Sequence, residues 1–141
     1  MKTNSYKFAV ALCAALSLTS ATGLFAHDIT LQPVDTAGLD ALGPDWRNEN
    51  PYRGNDLAVT IGSSGYNQNC ARCHGLEVIS GGIAPDLRAL EKNQDGDKWF
   101  INRIRHGAKI NGDTKMPAFE GLLSQEAMWA IRTFIESRPL E

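Results

Sequence analysis

A chain of 141 residues with 43% hydrophobic and 21% charged side chains has room for one small domain. Its formal net charge of −2 excludes the basic excess of a general nucleic-acid binder, so no nucleic-acid partner is expected. No internal repeat or low-complexity tract divides it.

Residues 1–26 predict a secretory signal peptide. Lys2 and Lys7 give a basic start, FAVALCAALSL from Phe8 to Leu18 is an unbroken, weakly apolar run, and small or polar residues follow. The run is short for a bilayer, and Thr19, Ser20, Thr22 and Gly23 interrupt its extension, so the expected product is a periplasmic chain with no membrane span after cleavage. Cleavage after Ala26 is expected. Gly23 and Ala21 remain alternatives, because Leu24 is larger than the residue normally wanted three positions before the cut. Cys13, inside the apolar run and preceded by Leu12, reads as core filler and not as a lipidation site.

Residues 27–55 form a turn-rich, acidic extension, with Asp28, Asp35, Asp40, Asp45 and Glu49 against Arg47 and Arg53. Trp46, Pro51 and Tyr52 are expected to pack as a strap over the domain that follows, residues 56–141; the alternative is a docking element. From Asp56 to Asn69 a helix is predicted, with Leu57, Ile61, Gly62 and Tyr66 at helical spacing, and it runs directly into NQNCARCHG.

Three chemistries compete for Cys70, Cys73 and His74. Structural zinc usually takes four protein ligands, and only Cys13 and two other histidines remain to supply them. A redox dithiol sits in a βαβ pattern, which is missing here, and gives His74 no task. Covalent haem attachment uses all three residues: Cys70 and Cys73 form thioethers to the vinyl groups, and His74 ligates the iron. One haem c is therefore the expected cofactor. As a large apolar disc, it would supply core to a mature chain that keeps only two cysteines and so has no disulfide framework.

Further on, Pro85 lies in a turn, GGIAPDL. A shorter helix, DKWFINRIRHG, is predicted from near Asp97 to Gly107, with Phe100 and Ile104 sharing a face. The C-terminal helix starts at an N-capping Ser124 and carries Ala127, Ile131, Phe134 and Ile135 on one stripe until Pro139 ends it. No alternating run of five or more residues suggests a sheet. An all-α fold is expected.

The opposite iron face decides between a high-potential carrier, a bis-histidine carrier and an open, reactive site. Met116 is the expected second ligand. It precedes Pro117 in KINGDTKMPAFEG, a loop bracketed by Gly107, Gly112 and Gly121 that can swing a side chain back over the haem. Met128 reads as core, and His106 reads as a cap on its helix end beside Gly107.

Gly62, Tyr66, Cys70, Cys73, His74, Pro85, Leu87, Trp99, Gly107, Met116-Pro117 and the C-terminal helix follow in the order of the class I (mitochondrial-type) cytochromes c, which this chain resembles from about Asp56 onward. The resemblance implies helices wrapped round one haem, with Gly62 letting the first helix cross the last at Phe134. It also implies that the Pro85 carbonyl accepts the Nδ1 proton of His74 and that Trp99 lies near a propionate. With the extension, YNQNCARCHGLE, SGGIAPDLR and SQEAMWAIRTFIES make the chain similar to periplasmic cytochromes c that accept electrons from quinoprotein (PQQ-dependent) ethanol dehydrogenases. Such a likeness implies an electron carrier and no enzyme, with a quinoprotein alcohol dehydrogenase as donor and a downstream oxidase or another cytochrome as acceptor. The alternative is a haem enzyme or small-ligand sensor with a labile or open sixth iron position; no distal acid–base pair at a recognisable spacing supports it.

Overall fold

A computed structural model describes residues 30–140; the stretch read as a signal peptide, with Cys13 and its cleavage points, lies outside the described residues. The described chain is mostly helical: α1 (Asp56–Asn69), α2 (Ala71–His74), α3 (Gln94–His106) and α4 (Gln125–Glu136), with 3-10 turns at Leu76–Val78 and Leu87–Ala89. Each long helix starts on a side-chain cap. Asn55 accepts from the Ala58 N–H, Asn93 from Gly96 and Ser124 from Ala127, so an otherwise orphaned donor is satisfied at every start. With Asn93 as the cap, α3 begins three residues before the Asp97 expected from sequence, and Asp97 is instead a buried anchor.

α1 and α4 pack against each other so closely that a β-carbon added to Gly62 would lie 1.9 Å from the Ala130 carbonyl oxygen. The crossing is therefore at Ala130 and not at Phe134. Phe134 lies one turn further on, with its ring 5.4 Å from that of Tyr66. α4 is buried from Ala127 to Ile135, well beyond the expected stripe. A second layer explains this.

That layer is residues 30–55, which form no helix or strand and satisfy only some of their amides locally, as Leu39 N–H does on the Thr36 carbonyl and Asn55 N–H on that of Tyr52. Side chains of the helices take others. Leu42 N–H donates to Glu126 (2.9 Å), Arg47 N–H to Gln125 (2.7 Å) and Asn50 N–H to Asp97 (2.9 Å). Leu42 and Tyr52 are buried in the core and Trp46 packs against it, under the Arg105 guanidinium at 4.0 Å, whereas Pro51 is exposed.

Two short strands correct the all-α expectation. β1 (Ala108–Ile110) and β2 (Asp113–Met116) pair antiparallel, with Ile110 opposite Asp113 across the two-residue turn Asn111-Gly112. Both turn residues have positive φ, 52° and 87°, as a type I′ hairpin turn requires. No helix among the described residues is long and apolar enough to cross a membrane.

Candidate functional site

The hairpin delivers Met116 to a cleft that α1 and α2 open from the other side. Cys70, Cys73 and His74 from the α1–α2 corner line it together with Met116, Pro117 and Phe119. Its volume is about 620 Å³, counting the space open to solvent.

On the helical side, the chain turns sharply after His74. Gly75 has φ 84°, and a β-carbon there would lie 1.8 Å from the Ile79 carbonyl oxygen, so only glycine fits. The buried Tyr66 hydroxyl donates to the Gly75 carbonyl at 2.9 Å and ties this turn to α1. His74 Nδ1 lies 3.0 Å from the Pro85 carbonyl oxygen. A carbonyl only accepts, so Nδ1 carries the proton and the ring's lone pair is on Nε2, ready for a metal.

On the hairpin side, Gly107 has φ 71°, and a β-carbon would come within 2.4 Å of the Met116 carbonyl oxygen and 2.8 Å of the Pro117 carbonyl carbon. The C-cap of α3 is thus also the place where the Met116-Pro117 backbone passes. Phe119 N–H donates to the Ile104 carbonyl at 3.0 Å and closes the loop onto the same helix.

The donor set fits one cofactor chemistry. Cys70 and Cys73 are unpaired thiols, and among the described residues no three His, Cys, Asp or Glu side chains gather into a metal cage. Burial, helped by neighbouring Cys73, pushes the Cys70 thiol up to about 12. A redox dithiol needs the opposite, a thiol shifted toward thiolate at neutral pH. Two thiols, an imidazole with its lone pair on Nε2 and a methionine sulfur on one cleft suit thioether attachment and axial ligation of a haem.

Other candidates lie elsewhere. Trp99 is 45% exposed and outside the cleft lining, with the Arg103 guanidinium 5.2 Å above its ring. His106 is also outside the lining; its Nδ1 lies 3.0 Å from the Asn102 carbonyl and its Nε2 3.6 Å from Glu120. Met128 is fully buried in α4. The sequence reading missed the cleft-lining Thr30, Leu31 and Phe119, which become neighbours only through the tertiary fold.

Residues 57–135 match the family described as cytochrome c oxidase, cbb3-type, subunit III. Over 142 aligned positions, covering 97% of each chain, the sequence is 52% identical to cytochrome c550 of Pseudomonas aeruginosa. It is 33% identical over 129 positions to the quinohemoprotein alcohol dehydrogenase ADH-IIG of Pseudomonas putida, covering 88% of this chain and 17% of that one. The solved structure of ADHIIG superimposes with a TM-score of 0.51 at 28% identity, over 70% of this chain and 14% of that one.

Proposed function

This chain belongs to the cytochrome c family, and from that premise we propose that it carries single electrons in the periplasm from a PQQ-dependent alcohol (ethanol) dehydrogenase to the respiratory chain. Family membership brings a covalently bound haem c and an electron-transport role with it. The donor assignment has separate support: a relative of this chain makes up part of a longer quinohemoprotein alcohol dehydrogenase.

When bound, the haem supplies a one-electron couple. Cys70 and Cys73 would hold it by thioethers, and His74 Nε2 and the Met116 sulfur would be its ligands from the protein. The Pro85 carbonyl fixes the His74 ring and makes its lone pair a stronger donor. Gly75 and Gly107 set the two backbone passages that bring those ligands to one cleft. A metal held by both His74 and Met116 would need no substrate to reach it. Residues 1–26 serve as the export signal, and an oxidase or another cytochrome takes the electron onward.

Mixing the oxidised protein with a purified quinoprotein alcohol dehydrogenase and ethanol tests the donor. Rapid reduction that requires both enzyme and alcohol is expected. A protein that keeps its haem spectrum but stays oxidised would overturn the donor and leave the electron carrier standing.

A further inference from the structure

Asn69, the last residue of α1 and the neighbour of Cys70, binds the strap as another backbone would. Its Oδ1 accepts from the Gln32 N–H at 2.7 Å, and its Nδ2 donates to the Gln32 carbonyl at 3.1 Å. The same Nδ2 also reaches the Gly65 carbonyl at 3.1 Å, so the side chain is held from its own helix while it holds the strap. At the other stations of the strap, Glu126, Gln125 and Asp97 accept from the Leu42, Arg47 and Asn50 N–H groups and Gln125 also donates to the Gly43 and Asp45 carbonyls, but none of these side chains lines the cleft or takes both backbone groups of one residue. The Asn69 station engages both backbone groups of one residue, and it stands at the cleft itself. Thr30 and Leu31, just before Gln32, line the cleft together with Cys70, Cys73, His74 and Met116. Leu31 also packs on the core cluster, although nothing in its local sequence predicts burial.

We propose that Asn69 is a positioning residue that fixes Thr30–Gln32 as a wall of the haem cleft, so that Leu31 excludes water from the cofactor and raises its reduction potential. This rests on the haem reading above. The oxidised iron centre carries one more positive charge than the reduced one, and water near it favours the oxidised form; an apolar side chain in that place favours the reduced form. Asn69 lines the cleft as well, but its side-chain oxygen and nitrogen are engaged by Gln32 and Gly65, so it would act on the cofactor through the strap, and exchange at Gln32 reads that role apart from attachment and ligation.

The test compares the holoprotein with Asn69→Ala, Leu31→Ser and, as a neighbouring control on the same helix end, Asn67→Ala. Midpoints come from spectroelectrochemical titration, and strap order from amide hydrogen exchange at Gln32. Asn69→Ala is expected to lower the midpoint and speed exchange at Gln32 while the sulfur-to-iron charge-transfer band persists. Leu31→Ser is expected to lower the midpoint by itself, with Gln32 still protected, and Asn67→Ala to change neither. Should Asn69→Ala fail to fold, Leu31→Ser decides. Haem-bearing variants whose midpoints do not move overturn the role of Asn69 and leave the haem reading intact, whereas a wild-type protein without covalent haem overturns both.

Discussion

Arg132 Nε donates to Asp97 Oδ1 over 3.0 Å, and solvent reaches neither side chain. Asp97 also accepts from the Asn50 N–H at 2.9 Å and from Arg53 at 2.6 Å, while Glu136 lies 3.0 Å from both arginines. Strap, α3 and α4 thus meet at one carboxylate. Burial pushes that carboxyl up, but the Asn50 N–H, Arg132 and Arg53 together outweigh it and hold it below the usual range. Its stabilising effect is therefore complete above the unfolded value of about 3.9 and is lost as pH falls below it. Glu126 acts in the same direction, because the Leu42 N–H outweighs its burial. Denaturant unfolding at neutral pH and near pH 3 is expected to show this acid loss. Asp97→Ala, which takes from buried Arg132 one of its two carboxylate partners and leaves the Asn50 N–H without its acceptor, is expected to cost about 3 kcal/mol at neutral pH and to flatten the acid limb.

Gly62→Ala tests the helix crossing. Alanine favours a helix by up to about 1 kcal/mol over glycine, but the added carbon would meet the Ala130 carbonyl at 1.9 Å, and backbone cannot rotate aside. A net loss of about 1–3 kcal/mol is expected from overpacking. Equal or greater stability of the variant would show that the helices do not cross there.

The parts of the molecule written in local chemistry were legible in the sequence. Ser124 caps α4 as its type and place suggest, and Cys70, Cys73 and His74 lie within one turn of chain. The hairpin was missed because its strands have only three and four residues and face solvent almost throughout, so no alternation is needed. The usable signal was Asn111-Gly112, the pair best suited to a two-residue hairpin turn. The buried charge cluster had no such signal. Asn50, Arg53, Asp97, Arg132 and Glu136 come from three separate stretches of chain, and no period or motif relates them. The crossing point at Ala130 was likewise decided by packing, since small residues on two helices do not by themselves say which pair will meet.

Covalent attachment predicts that colour stays with the protein through denaturation and acid-acetone extraction. Pigment passing into the solvent would contradict thioether bonds at Cys70 and Cys73. Cys70→Ala is expected to give mostly colourless and poorly folded protein, because a chain of this size without the haem has too little core.

Ligation separates Met116 from His106. Met116→Ala is expected to remove the near-infrared sulfur-to-iron band, lower the potential and admit carbon monoxide to the reduced protein. His106→Ala is expected to leave the band in place, since its ring is exposed, engaged with Asn102 and Glu120, and outside the cleft lining. Loss of the band with His106 and its survival without Met116 would reverse the assignment.

Docking is expected to depend on charge more than on area, because electron-transfer encounters are small and brief. Between Lys98 and Lys115 the chain carries Lys98, Arg103, Arg105, Lys109 and Lys115 against the single acid Asp113, whereas the strap is acid-rich. Lys109 on β1 and Lys115 on β2 are exposed on the hairpin that ends at Met116, so they stand beside the face through which an electron would enter. Lys115 is 3.3 Å from Asp113, but a pair this exposed holds its charge only weakly and remains available to a partner. Lys109→Glu with Lys115→Glu is expected to slow reduction by the dehydrogenase several-fold at low salt, and added salt to narrow the difference by screening both signs. Stopped-flow reduction of both proteins at two ionic strengths measures this. Equal rates at low salt would exclude the hairpin rim and turn attention to the acidic strap, whose charge has the opposite salt signature toward any given partner.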